Sequence, residues 1–371
     1  MRSTRRLTGV ALCLALLAGA CGDDGGGAED AEDGPTTSGA ATTGFPDDRC
    51  QANRDAGQLV FVTSFDYSAA ASIIDVVVAE EQGFFEDVCL DVALQAGFST
   101  ANVPLLAAGQ AQVTSLGSFS EVAVANAAGA DIVAIAVEGK TSIEELLVED
   151  GRGITELADL TGHRVGIKGA IPYSVRAMLA AAGVDESTLQ QTEVGFNPVV
   201  LFETDIDALP VYKSNEPAQL DAAGYAGRYT VFDPRDDEVP ASFAVYATSR
   251  DFAEEHPSAV ADFLRAALHG FAWAVEHPEE AVAATLERSD PQLFFQPEGE
   301  AFRWATESAL VLDTTPDGEP VGAVDLELLE AEVAYLVELG VIEEGSVDVA
   351  SSADPAFVEE VTEEGKVAWL G

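Results

Sequence analysis

The sequence predicts an α/β protein of two lobes with a helical C-terminal part. Three observations predict it. Strand and helix signals alternate from residue 58 to about 140. A second alternating set runs from Ile154 to Ala247, and nearly everything from Phe252 onward reads as helix. Strands separated by helices of this length mean βαβ units and mostly parallel sheets.

In the first set, Leu59 to Phe65 is a short β-rich run. Ala69 to Phe85 reads as a helix, with Ile73, Ile74, Val77 and Val78 on one face, ended by Gly83 and Phe84-Phe85. Leu90 to Gln95 is a strand, Val103 to Gly109 a short helix, Val113 to Leu116 a strand and Ser120 to Ala128 a helix. Asp131 to Val137 is the fourth strand.

In the second set, Ile154 to Leu160 is a short helix and Arg164 to Ile167 a strand. Tyr173 to Ala182 is a helix stopped by Gly183. Thr192 to Phe196, Ala208 to Tyr212, Tyr229 to Phe232 and Ser242 to Ala247 are strands. Asn197 to Phe202 and Glu216 to Ala223 are helices between them. Proline opens the helices that follow His256 and His277, where its missing N–H costs nothing. The stripe Val260, Phe263, Leu264, Ala267, Leu268 and Phe271 marks a core face, which leaves His269 toward the surface. Two further helices span about Glu298 to Leu312 and Asp325 to Leu339. A crossing between lobes near residue 140 and a return near 240 fit this layout. Ile132 to Glu138 and Pro240 to Thr248 are then the hinge segments.

Charge excludes several functions. The 371 residues include 65 acids and 18 lysines and arginines, a net of -47. Such a surface repels phosphate backbones, so no nucleic-acid partner is expected. With 47% hydrophobic residues the chain still has ample core material.

The N-terminus reads separately. Arg2, Arg5 and Arg6 precede an apolar run from Leu7 to Ala20, too short to span a membrane. That is the pattern of a signal peptide, residues 1–20. Leu17-Ala18-Gly19-Ala20-Cys21 resembles the bacterial lipobox, making Cys21 the expected lipidation site and a plain signal peptide the alternative. Removing residues 1–20 leaves 15 basic and 65 acidic residues, a net of -50. Residues 21–57 read as a lipidated flexible linker, since glycine, acids and a Thr/Ser/Pro stretch cannot make a core. Cys50 and Cys89 remain as a disulfide candidate outside the cytosol. His163, His256, His269 and His277 show no ligand spacing, so no metal and no cofactor are expected.

Five segments carry a family resemblance. Val78-Ala79-Glu80-Glu81-Gln82-Gly83-Phe84-Phe85-Glu86 is similar to an "A-x-E-x-G-F-F" helix end. Leu106-Ala107-Ala108-Gly109-Gln110-Ala111-Gln112-Val113 is similar to "L-x-x-G-x-x-D". Leu157-Ala158-Asp159-Leu160-Thr161-Gly162-His163-Arg164-Val165-Gly166 is similar to "D-L-x-G-K-x-V-G". Thr204-Asp205-Ile206-Asp207-Ala208 is similar to "G-x-x-D-A", and Ser214-Asn215-Glu216-Pro217 holds an "N-E-P" element. In this order they resemble the solute-binding lipoproteins of bacterial ABC importers, in the branch with thiamine-pyrimidine-precursor, riboflavin, sulfonate and nitrate binders. The resemblance covers about residues 58–290. Gln112, His163 and Thr204 depart from the pattern where Asp, Lys and Gly are usual.

The resemblance implies a bilobed periplasmic-binding-protein type II fold. Lobe one would hold 58–139 and the return 241–371, and lobe two 140–240. It implies a non-enzymatic, exported, membrane-anchored monomer that hands a small molecule to an ABC permease. Fold relatives that synthesise the pyrimidine rely on cysteine-rich motifs absent here; an adhesin or periplasmic regulator is a further alternative.

Ligands of open α/β sheets sit beyond the carboxyl ends of the strands. This selects Asp66 and Tyr67 after strand one, Ser118 and Phe119 after strand three, Gly169, Tyr173 and Ser174 in lobe two, and Asn215 and Glu216. Each has a plainer alternative: Ser118, Ser120 and Asn215 as helix caps, Tyr67 and Tyr173 as packing residues, Asp66 as a turn. Carboxylates beside aromatic rings suit a flat nitrogen heterocycle with N–H donors, such as a thiamine pyrimidine precursor. Riboflavin, or an alkylsulfonate or nitrate, is the alternative.

Overall fold

The computed structural model describes residues 44–293 and 295–370. Two five-stranded sheets organise them. Lobe one contains β1 (Gln58–Val62), β2 (Asp91–Gln95), β3 (Val113–Leu116) and β4 (Ile132–Gly139). Lobe two contains β5 (Glu144–Glu149), β6 (Arg164–Ile167), β7 (Gln190–Glu193), β8 (Ala208–Tyr212) and β9 (Tyr229–Phe232). The chain then returns as β10 (Phe243–Ser249). The strand orders are β2-β1-β3-β10-β4 and β7-β6-β8-β5-β9.

The two sheets share one plan. β1 runs parallel to β2 and β3, and β6 parallel to β7 and β8. Into each sheet goes one antiparallel strand carried by the lobe crossing: β10 between β3 and β4, β5 between β8 and β9. The expectation of mostly parallel sheets is corrected by these two strands. β5 escaped sequence reading because its ends are glutamates; its middle, Glu145 to Val148, is buried. The expected hinge segments are themselves paired strands, β4 and β10. The links that cross between lobes are residues 140–143 and 233–242.

Burial explains the sequence pattern. All eight residues of β4 are buried, so it is apolar on both faces and shows no alternation. The Pro257–Glu276 helix buries Val260, Phe263, Leu264, Ala267, Leu268 and Phe271, as its stripe predicts. Gly270 on this helix is forced by packing: a Cβ there would lie 2.1 Å from the carbonyl oxygen of Asp75. His269 lies off that core face and is half-buried. Its ring stacks on Trp369 at 4.1 Å between centroids and meets Phe84 at 4.5 Å.

Other expectations shift at their edges. The helix expected over 69–85 splits at Gly83, which has φ 77°, into Ile74–Glu81 and Phe84–Asp87. The segment 154–160 forms a 3-10 turn only over Leu157–Leu160. The helical C-terminal part ends in a small antiparallel pair, Thr362–Glu363 with Lys366–Val367.

Residues 47–57 are not linker. Asp47–Asp55 is a helix packed on lobe one, and Cys50 is bonded to Cys89. Asn53 Nδ2 donates to the Val88 carbonyl and to Asp262 Oδ2, both at 2.8 Å, and Arg49 pairs with Asp262 at 2.6 Å. Composition alone hid this helix, because its stability comes from a disulfide and polar anchors. Residues 1–43, with the signal segment and Cys21, lie outside the described residues. Among the described residues no helix is long and apolar enough to cross a membrane, and no group of acids, histidines or cysteines could hold a metal.

Candidate functional site

A cavity of about 310 Å³ lies between the lobes, within the range of small-molecule sites. Its walls come from the carboxyl ends of the parallel strands. After β1 come Ser64, Phe65, Ser68, Ala71 and Ser72, and after β2 Phe98 and Ser99. Lobe two contributes Lys168 after β6, Phe196 after β7, and Tyr212, Asn215 and Glu216 after β8. Phe243 and Ala244 open the return strand, and Arg303 and Glu307 stand on the Pro297–Thr314 helix. Phe243 can lie across the end of β4 because its partner is Gly139: a Cβ there would sit 1.8 Å from the ring.

Aromatic rings dominate the mouth. Phe65 is edge-on to Phe98 at 5.5 Å and reaches Phe196 of the other lobe at 6.5 Å. The guanidinium of Arg303 lies 5.9 Å above the Phe65 ring. Phe196 is 69% exposed and Phe98 47%, values that make them poor core residues and good platforms for a flat solute.

The charges of the cavity are engaged with one another. Lys168 Nζ pairs with Glu216 Oε1, while Glu216 Oε2 accepts from the Tyr212 N–H at 2.9 Å. Arg303 pairs with Glu300 at 3.2 Å and donates to Asn215 Oδ1 at 3.0 Å. Glu307 accepts from Ser214 Oγ at 2.7 Å and from the Ala71 N–H at 2.8 Å. The Arg303–Asn215 and Ser214–Glu307 bonds join the lobes directly. Burial pushes the Glu307 carboxyl up, against the opposing pull of Arg303.

Three carboxyl groups hold the turn that follows β1. Glu300 accepts from the Ala69 N–H at 2.7 Å, Glu307 from Ala71, and Glu138 from Ser72 at 2.8 Å. Behind Glu138 stands Asp75, hydrogen-bonded to it, and Tyr246 donates its hydroxyl to Asp75. Both carboxyls are fully buried, and burial pushes both upward. Two touching carboxyls in such a place cannot both ionise, so one proton is shared between them.

A second buried acid underlies the return crossing. Glu332 accepts from Ser120 Oγ at 2.8 Å, and Ser120 Oγ also meets Tyr335 Oη at 2.7 Å. Burial pushes Glu332 up to about 7, with Ser242 of the crossing opposing that shift.

Of the site residues selected from sequence, the structure brings Asn215 and Glu216 to the cavity wall. The others stand elsewhere. Asp66 has φ 43° and accepts from the Asp290 N–H at 2.9 Å, so it fixes a turn. Tyr67 donates to the Leu94 carbonyl at 3.0 Å and is a packing residue. Phe119 is fully buried in the lobe-one core. Ser118 occupies an N-cap position without making the cap bond. Gly169, at φ 90°, donates its N–H to Glu193 at 3.2 Å. The Tyr173 ring is covered by Arg176 at 5.8 Å, and Ser174 Oγ donates to Glu144 at 3.0 Å. Sequence reading missed Ser72, Phe98, Phe196, Phe243, Arg303 and Glu307. For Arg303 and Glu307 a signal existed: with Glu300 they space charges three and four apart on one face of a helix.

The chain is 27% identical over 266 residues to a formylaminopyrimidine-binding protein of Halalkalibacterium halodurans, covering 70% of this chain and 79% of that one. It is 29% identical over 142 residues to the riboflavin-binding protein RibY of Chloroflexus aurantiacus, covering 36% of this chain and 38% of that protein. Its fold is that of the periplasmic aliphatic sulphonate binding protein SsuA from Escherichia coli. There the TM-score is 0.56 at 20% identity, covering 80% and 91% of the two chains. Residues 70–281, more than half of the chain, match the family described as NMT1/THI5 like, and the chain belongs to that family.

Proposed function

We propose that this protein is the extracytoplasmic solute-binding component of an ABC importer, and that its solute is a small nitrogen heterocycle of the aminopyrimidine type. The observation that carries the reading is the interlobe cavity, with rings on both lobes and a buried Lys168–Glu216 pair on its wall. The faces of Phe65 and Phe196 offer platforms on which a flat ring can stack. The carboxyl and hydroxyl groups around it suit ligand N–H donors. A formylaminopyrimidine is the ligand named for the relative with the longer match, which supports the same class.

Charge pairing argues against an alkylsulfonate or nitrate. Lys168 and Arg303 both already face carboxylates, and an anion would have to displace them. Riboflavin asks more of a cavity of about 310 Å³ than a single pyrimidine ring does. The described lining residues include no cysteine or histidine, which favours binding over catalysis. Solute contact with both lobes would favour the closed form that a permease accepts. Export by residues 1–20 and a lipid on Cys21 complete the proposal, with a monomer held at the membrane.

Two measurements test it. Mass spectrometry of the denatured, freshly purified protein should release an aminopyrimidine. A thermal-shift series should show stabilisation by an N-formylated aminopyrimidine and none by an alkanesulfonate. Stabilisation by the sulfonate alone would overturn the heterocycle reading. A Cys21→Ala protein recovered from the soluble fraction, against a membrane-bound wild type, would support the anchor.

A further inference from the structure

The turn after β1 has a property that its role as a wall does not need. Ser68 and Ser72 are both fully buried at the cavity, and neither hydroxyl has a hydrogen-bond partner among the described residues. An unpaired buried hydroxyl is costly, and two on one turn is unusual. Ser72 also has φ 59°, a left-handed conformation that a serine adopts reluctantly. The backbone around them is nonetheless tightly held: the N–H groups of Ala69, Ala71 and Ser72 each end on a different buried glutamate. Strain and unpaired polar groups that persist in a rigid setting mark a place prepared for a partner.

We infer that Ser68 and Ser72 are specificity-determining residues, whose hydroxyls meet the polar edge of the solute, and that Glu138 is the positioning residue that holds Ser72 there. A hydroxyl both donates and accepts, so this edge suits a neutral solute carrying adjacent N–H and oxygen or ring-nitrogen groups. Glu138 acts through its acceptor Oε2, at 2.8 Å from the Ser72 nitrogen, and is itself fixed by Asp75 and Tyr246. The inference rests on the heterocycle reading for the solute class, and on the turn alone for the positioning.

Ser72→Gly separates contact from fold. Glycine accepts a positive φ without strain, so this protein should melt no lower than wild type. Its affinity should fall about five- to tenfold, the worth of one hydrogen bond. Isothermal titration would use an N-formylated aminopyrimidine, riboflavin and an alkanesulfonate. Glu138→Gln keeps an acceptor for Ser72 and a donor for Asp75, and should bind within about twofold of wild type. Glu138→Ala should lose about tenfold. Unchanged affinity in Ser72→Gly, or equal loss in both Glu138 variants, overturns the inference. If wild type binds none of the three compounds, the heterocycle reading falls, and the positioning is judged on hydrogen exchange at the Ser72 amide. That amide should be protected in wild type and Glu138→Gln and open in Glu138→Ala; equal exchange in all three overturns it.

Discussion

Replacing Glu332 by glutamine should change how stability depends on pH, and the size of the change follows from the site. Glu332 has no solvent exposure and titrates near 7 in the folded protein, against an ordinary value of 4.5. The folded value lies above the unfolded one, so protonation favours the folded chain. That stabilisation is complete below about 4.5 and is lost as pH rises through about 7. The interval corresponds to about 3 kcal/mol. Glutamine is neutral throughout and keeps an acceptor for Ser120 Oγ, so the variant should gain about 3 kcal/mol over wild type between pH 4.5 and 8. Urea unfolding with the disulfide intact, at pH 5, 6, 7 and 8, measures it. Burial also raises Glu138 and Glu145, and these shape both curves alike, so only the difference is read. Parallel curves for the two proteins would refute the argument, since they would mean that Glu332 carries the same charge folded and unfolded.

Three other outcomes are expected. Cys50→Ser should destabilise the folded chain by about 4 kcal/mol, the loop entropy of a crosslink spanning 39 residues, with the loss read in the urea midpoint. Phe196→Ala removes a ring that is 69% exposed, so stability should move by no more than about 0.5 kcal/mol. Affinity for the solute should fall, and titration calorimetry beside a melting curve separates the two. Glu307→Ala removes the acceptor of Ser214 Oγ, a polar link between the lobes beside Arg303–Asn215. The ligand-free variant should be more open, seen as a larger radius of gyration in X-ray scattering.

Much of the fold was legible because it is written locally. β3, β6, β8 and β9 fall where apolar runs and turn residues place them, and the Pro257–Glu276 helix shows its stripe directly. β5 was not legible, since a strand with glutamates at both ends looks like loop until β8 and β9 cover its middle. The Asp47–Asp55 helix was hidden for a related reason: its anchors, Cys89, Val88 and Asp262, are distant in sequence. The site divides the same way. Asn215 and Glu216 open a helix after a strand, a position sequence rules can find. Ser72 and Phe243 matter because of a left-handed turn and a facing glycine, neither of which spacing reveals. Asp66 was selected for its charge, yet its carboxylate turned to a backbone N–H at residue 290.

The insertion of β10 between β3 and β4 also sets an order of assembly. Every strand of the lobe-two sheet lies between residues 144 and 232, so that sheet can close on its own stretch of chain. Lobe one cannot. Its sheet has a gap until residues 243–249 arrive, and its core lacks the Pro257–Glu276 helix until later still. A chain delivered from its N-terminus would therefore finish the inserted lobe first and hold β1 to β4 incomplete meanwhile. Closing lobe one is a long-range event, and such closures are slow. The Cys50–Cys89 bond joins the one part of lobe one whose residues are available early.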